Sequence, residues 1–232
     1  MKLIEENITQ TLEEIYLIET LNLDNKTILE LGCGAAAMTK KIAANGTNRK
    51  VIASEVDEIQ HQKNLKLDIP NIEFKNFPAE DITLGDESVD FIFLFKSFHH
   101  VPENSMKKAL DEMKRVLKPN GLIYFSEPLY QGEQNRLISI FHDEKYVREI
   151  AFEHIKQAVE KEEFKLFKEI FFQTPVSYKN FEDFKIKQMD VTHLDTVYTK
   201  EIIEKVQTEY EKLSKDELTL LKPFRVDILQ KI

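Results

Sequence analysis

Ile28-Leu29-Glu30-Leu31-Gly32-Cys33-Gly34-Ala35-Ala36-Ala37-Met38 is the stretch that decides the fold: an apolar run ends on an acid and turns through two glycines into small residues. Thr27 to Leu31 reads as a short strand. Gly32, Gly34 and the small Ala37 after it let backbone amides approach a ligand closely, as in the first βα turn of nucleotide-binding sheets. By itself such a turn suits any nucleotide cofactor. Glu30 narrows the choice, because dinucleotide folds place an apolar residue at that strand position. A carboxylate there suits a ligand that carries an ammonium group.

Outward from this turn, strand-like segments alternate with helical ones: Lys50 to Glu55, Asn71 to Phe74, Val89 to Phe95 and Leu122 to Ser126 are short and rich in β-formers. This alternation predicts a parallel sheet covered on both faces. Met106, Ala109, Leu110, Met113, Val116 and Leu117 form one apolar stripe, so a helix is expected from Ser105 to Leu117. Pro119, Asn120 and Gly121 end it in a turn. Ile8, Leu12, Ile15, Tyr16 and Leu23 share one side of a helical wheel and predict an amphipathic helix before the first strand. Beyond Glu127 the pattern changes to a long helix over Asp143 to Lys161 and strands at Phe164 to Gln173 and Phe224 to Leu229. Helices at Phe181 to Met189 and Thr199 to Leu213 fall between those strands and are expected to cap the substrate site. Residues 1–130 are thus the cofactor-binding core. Residues 131–232 complete the sheet, with strands near 164–173 and 224–229 and a helical cap near 178–214.

Two further features accompany the glycine turn. Glu55 ends the next strand 21 residues after Gly34, with Val56 beside it, a spacing suited to a carboxylate that accepts both ribose hydroxyl protons. Ala79, Glu80 and Asp81 follow the third strand, where a loop meets an adenine and a carboxylate accepts from its exocyclic amine.

In order along the chain, ILELGCGAAAM, VIASEVD, FPAED, SVDFIFLFKSFHHV and MKRVLKPNGLIYFSEP resemble the successive motifs of class I S-adenosylmethionine-dependent methyltransferases. The small-molecule group that includes the ubiquinone and menaquinone enzymes is the nearest in kind. The resemblance covers Lys26 to Pro128. It implies a Rossmann-like, seven-stranded, mostly parallel α/β sheet with a reversed final strand and helices on both faces. It also implies S-adenosyl-L-methionine as cofactor: Glu30, Gly32, Cys33 and Gly34 at the methionine end, Glu55 and Val56 at the ribose, Ala79 with Glu80 or Asp81 at the adenine, and Phe95 and Lys96 beside the sulfonium. Ala36 stands where many members carry a third glycine, and Pro78 where many carry Asp or Asn. Phe95-Lys96-Ser97-Phe98 lacks the Asn/Asp-Pro-Pro-aromatic pattern that the family ties to planar amino groups, which argues against adenine as acceptor.

Composition agrees with an ordinary globular protein: 42% of residues are hydrophobic and 31% charged. The net charge is -9, with 15 basic against 21 acidic residues up to Tyr130 and 17 against 20 after it, so no nucleic-acid surface is expected. Cys33 is the one cysteine, which rules out an internal disulfide and a thiolate cluster. The first ten residues carry acids where a signal peptide needs an apolar core, and the longest apolar run is too short to span a bilayer. A soluble cytoplasmic enzyme with a small-molecule acceptor is the expectation, without membrane or nucleic-acid partners and with homodimer formation left open.

The acceptor side offers scattered candidates. His99 and His100 follow the fourth strand at the sheet's carboxyl edge, and His100 is the candidate general base for a protic acceptor. In extended chain the two imidazoles would point opposite ways, so no metal site is expected. His99, Tyr130, His142, His193 and Arg225 are candidate substrate contacts, Arg225 as a clamp for a carboxylate. Cys33 is read as packing, Asp90 as a backbone-orienting residue and Asp143 as a helix cap. Two rival functions stay open: an NAD-dependent oxidoreductase, and a noncatalytic S-adenosylmethionine-binding regulator.

Overall fold

The computed structural model describes residues 1–190 and 197–232. Its centre is one seven-stranded sheet made of β1 (Thr27–Leu31), β2 (Lys50–Ser54), β3 (Ile72–Lys75), β4 (Val89–Phe95), β5 (Leu117–Pro128), β6 (Phe164–Tyr178) and β7 (Leu218–Lys231). The strand order is β3-β2-β1-β4-β5-β7-β6. Pairing is parallel from β3 through β5, and β7 runs antiparallel to both neighbours, β5 and β6. The expected mostly parallel sheet with a reversed last strand is the one observed.

Both faces of the sheet are covered, which is why β4 reads as an unbroken apolar run from Phe91 to Phe95. Phe91, Phe93 and Phe95 point to one side and join Ile18, Ile28, Ile42 and Tyr124. Ile92 and Leu94 point to the other, against Met106, Leu110 and Met113 of α4 (Glu103–Val116) and Ile155 of α6 (Lys145–Glu160). The α4 stripe is buried as its spacing requires. After it, Val89 pairs with Leu117 and Phe91 with Leu122, so residues 118–121 bulge out of register, with Asn120 at φ +62°. Asp90 steadies this end: its carboxylate accepts from the Thr27 backbone N–H at 2.9 Å and from Lys118 Nζ at 2.8 Å.

Short helices α2 (Ala37–Ala44) and α3 (Glu58–Asn64) follow β1 and β2. Between β6 and β7 the chain makes an excursion through α7 (Phe181–Gln188) and α8 (Lys200–Glu211). It packs with α5 (Gly132–Ile138), a helix the apolar spacing does not announce, around a separate core of Leu137, Tyr178, Phe184, Val206, Tyr210 and Leu220. Strands β6 and β7 also run further than their apolar cores suggest, because they pair with each other as far as Tyr178 and Leu218.

The helix expected over Ile8 to Leu23 is a correction. Only α1 (Ile15–Ile18) is helical, and the preceding residues are extended. Thr11 bridges to Gln173, with Leu12 N–H donating to the Gln173 carbonyl and Gln173 N–H to the Gln10 carbonyl. Because β6 lies at the edge of the sheet, its unpaired backbone groups draw this segment away from helix. Of the expected stripe Leu23 is buried and Leu12 and Ile15 are half-buried, while Tyr16 is 67% exposed.

Candidate cofactor and acceptor site

Backbone geometry dominates the turn after β1. Gly32 has φ +72°, and a Cβ there would sit 2.7 Å from Ser97 Cβ. Gly34 has φ +50°, and a Cβ on it would meet nothing within 4 Å, so its open side faces the cavity rather than the protein. Ala36 takes the αL conformation at φ +60°, which explains why glycine suits that position. Gly34 N–H donates to Glu55 Oε2 at 2.7 Å and Asp57 N–H to Glu55 Oε1 at 3.0 Å. This fixes the Glu55 carboxylate at the sheet edge while each oxygen keeps a further lone pair for a hydroxyl.

Two cavities meet at the turn. One of about 630 Å³ is bordered by Glu55, Val56, Phe77, Ala79, Glu80 and Val101. The other, of about 450 Å³, is bordered by Glu30, Phe95, Phe141, His142, Lys187 and Lys222. Gly32, Gly34, Lys96 and His100 border both. A carboxylate poised for hydroxyls, an apolar recess and a second, buried carboxylate form a donor set that fits a ribose, an adenine and an ammonium in sequence. Asp81 is exposed and borders neither cavity, so of the adenine-loop candidates Ala79 and Glu80 are the ones in place.

Charge in this region is held in unusual states. Glu30 is 2% exposed and accepts a hydrogen bond from Thr39 Oγ1 at 2.6 Å. Burial pushes its carboxyl up to about 8, and the charges of Glu14 and Glu55 act in the same direction. Lys222 is brought down to about 8 by burial, with Lys96 and Arg148 adding repulsion. Burial also pushes the Cys33 thiol far up, so it is a packed and unreactive group beside the turn.

The histidines depart from expectation. Phe98–His100 is a 3-10 turn, not extended chain, and the His99 and His100 rings lie with centroids 4.1 Å apart. They therefore point the same way, toward Glu144 at the start of α6. His99 Nε2 lies 3.6 Å and His100 Nε2 4.0 Å from Glu144 Oε1, and His142 Nε2 lies 2.9 Å from that same oxygen. His99 Nδ1 is hydrogen-bonded to Glu127 Oε2, and Glu127 Oε1 accepts from the Phe98 N–H at 3.0 Å. Burial alone would depress His99, but Glu127 and Glu144 outweigh it and hold the ring at about 9. His100 is depressed instead, by desolvation and then by the adjacent His99 charge. Burial opposes ionisation of Glu144, yet His99 and Arg148 keep it well below the usual carboxylate range.

Tyr130 and Arg225 do not border this site. They border a separate cavity of about 260 Å³ beneath Leu3 and Ile4. Arg225 is 2% exposed, donates to Asp227 Oδ2 at 2.6 Å and to the Leu3 carbonyl at 3.1 Å, and lies 4.3 Å from the centroid of the Phe152 ring. It holds scaffold together, and the cavity it borders is not the one at the glycine turn. His193 lies outside the described residues. Asp143 accepts from the Lys145 N–H at 3.0 Å, in keeping with a capping role. Sequence reasoning missed Glu127, Arg148, Lys187 and Lys222 as site residues. The only available signal was the pairing of His142 with Glu144 two residues on.

Comparison with known proteins follows the same outline. A family model described as "Methyltransferase domain" matches residues 29–125. An uncharacterized methyltransferase of Schizosaccharomyces pombe is 34% identical over 114 residues, 49% of this chain and 42% of that protein. A ubiquinone biosynthesis O-methyltransferase of Hydrogenovibrio crunogenus is 26% identical over 132 residues, 56% of this chain and 54% of that protein. The chain thus spans about half the length of these relatives. A SAM-dependent methyltransferase structure from Aquifex aeolicus superposes with a TM-score of 0.56 at 18% identity, covering 93% of this chain and 88% of that one, and shares the fold. Residues 29–125 thus match a methyltransferase domain, and with the glycine turn and the reversed seventh strand in place the chain shares the fold of SAM-dependent methyltransferase structures.

Proposed function

We propose that this chain transfers a methyl group in line from S-adenosylmethionine to a small-molecule acceptor. The observation that carries the proposal is the junction at Gly32, Gly34, Lys96 and His100, where the cavity at Glu55 and Ala79 opens into a second one bordered by Glu30 and Phe95 on the turn side and by cationic and apolar side chains beyond them. S-adenosylmethionine supplies a methyl group already activated by its sulfonium charge. The remaining task for the protein is orientation and exclusion of water.

In this reading the Gly32 to Gly34 backbone and Glu30 hold the methionine end, Glu55 the ribose, and Ala79 with Glu80 the adenine. Phe95 and Lys96 flank the transfer point. His100, held neutral, accepts a hydrogen bond at Nε2 from a protic acceptor. Phe141, Lys187 and Lys222 border the acceptor cavity, whose wall comes from the segment after α5, from α7 and from the first half of β7. Their mixture of aromatic and cationic groups favours a compact acceptor with an apolar body and an anionic or strongly polar oxygen. The ubiquinone O-methyltransferase relatives point in the same direction.

The antiparallel β7 and the acidic Glu30 both argue against an NAD-dependent oxidoreductase, whose sheet is parallel through its last strand and apolar at that position. Incubation with methyl-labelled cofactor and pools of hydroxylated aromatic and carboxylate compounds tests the proposal. Label in a small-molecule fraction is the expected result. Tight cofactor binding with no transfer across all pools would instead assign the chain to noncatalytic S-adenosylmethionine sensors.

A further inference from the structure

The three imidazoles around Glu144 do not behave as a hydrogen-bond network. Only His142, at 2.9 Å, is within hydrogen-bonding distance of Oε1; His99 at 3.6 Å and His100 at 4.0 Å stop short of it while still aiming Nε2 at the same atom. The ligand atoms of His99, His100 and Glu144 all lie within 4.8 Å of one another. A divalent ion with bonds of about 2.0–2.2 Å holds neighbouring ligand atoms roughly 3 Å apart, so torsional shifts of under ~1 Å would close this group around one.

The surroundings are those that metal sites require. A ligating histidine usually gives its other ring nitrogen to a carboxylate, which fixes ring and tautomer. Here Glu127 takes that part for His99, and Glu127 is itself anchored by the Phe98 N–H. The carboxylate ligand is supported likewise: Arg148 Nη2 donates to Glu144 Oε2 at 2.5 Å and Arg148 Nη1 to Asn135 Oδ1 at 2.9 Å, leaving Oε1 turned toward the imidazoles. Glu127 and Arg148 thus each bind the far side of one ligand.

We propose that His99 Nε2, His100 Nε2 and Glu144 Oε1 form a mononuclear site for a divalent transition metal, with His142 Nε2 hydrogen-bonded to the carboxylate ligand. Two imidazoles and one carboxylate select borderline ions such as zinc, cobalt, manganese or iron(II) over magnesium and calcium. Three protein ligands leave coordination positions open. All four residues border the cavity assigned to the acceptor, so an open position there suits an acceptor oxygen, whose proton the metal would make easier to lose. With an ion bound, His100 Nε2 is a ligand and the metal takes over its part toward the acceptor; that step rests on the methyl-transfer reading, whereas the metal site does not.

The test reads metal binding and needs no turnover. Full-length protein without a polyhistidine tag is stripped with chelator and titrated with cobalt(II), following visible d–d absorption, then back-titrated with zinc. The expected result is one cobalt per chain, displaced by zinc. His100→Ala, at a largely exposed side chain, and Glu144→Gln, which keeps the side-chain shape, should each weaken binding at least tenfold. His154→Ala, on the α6 helix away from the cluster, should leave it unchanged. Absorption no different from that of free aqueous cobalt at the same concentration, or intensified absorption unaltered in both His100→Ala and Glu144→Gln, would overturn the site. Circular dichroism of each variant separates loss of ligands from loss of fold.

Discussion

Around Gly32 and Gly34 the contacts are made by backbone groups and by the carboxylates of Glu30 and Glu55, with Ala79 and Glu80 after β3 and Phe95 and Lys96 at the end of β4, each in its own short motif at a strand end. Across the junction, the acceptor cavity draws His99 and His100 from the end of β4, His142 and Glu144 from before α6, Lys187 from α7 and Lys222 from β7. The first half is written as contiguous motifs because a βα turn fixes a ligand with local geometry. The second is assembled by the fold from single side chains, and no short motif records it. Chemistry common to a family can therefore reside in the turn while the acceptor is set by scattered positions.

The sharpest way to break this division is to test the residue that sequence placed in the acceptor half and the structure places in the scaffold. Replacing Arg225 by Leu leaves Asp227, 1% exposed, without its partner. Loss of one member of a buried pair costs about 3–5 kcal/mol, so chemical denaturation should show a loss of that order while the folded fraction binds S-adenosylhomocysteine normally. Unchanged stability with impaired turnover would return Arg225 to the acceptor site.

Within the cofactor half, Glu55→Ala removes the carboxylate proposed to bind the ribose, which also holds two backbone N–H groups. Each charge-assisted hydrogen bond contributes about 1.5–3 kcal/mol, so affinity for S-adenosylhomocysteine should fall by roughly ten- to a hundredfold in calorimetry. An undiminished affinity would show that the ribose lies elsewhere.

Glu30 gives a smaller effect with a defined sign. Its carboxyl, raised to about 8 by burial, is mostly protonated at neutral pH, and a cofactor ammonium favours the ionised form. Binding should release close to one proton at pH 7, and affinity should rise as pH climbs toward 8 and then level, by up to about tenfold per pH unit. Calorimetry at pH 7 in buffers of different ionisation enthalpy counts that proton. Glu30→Gln should abolish the release, and proton release persisting in that variant would locate it on another group.

The same contrast accounts for what could be read from sequence. Strands β1 to β5 and helix α4 were legible because their apolar runs and stripes are dictated by burial on both faces of a parallel sheet. The helix over Ile8 to Leu23 was misread because helical spacing and burial against a sheet face select the same apolar residues, and pairing with the β6 edge then decided the backbone. The α5 helix is short and carries mainly polar residues outside Leu137 and Ile138, so no stripe marks it. An extended chain would make His99 and His100 diverge; the 3-10 turn that brings them together is held by Glu127, distant in sequence. Tyr130 and Arg225 were given to the acceptor by residue type alone, and burial against the amino-terminal segment assigned them otherwise.

Isothermal titration of the purified chain with S-adenosylhomocysteine and, separately, with NADH tests the central claim most directly. The account predicts one S-adenosylhomocysteine bound per chain and no heat from NADH. Binding of NADH with indifference to S-adenosylhomocysteine would contradict it.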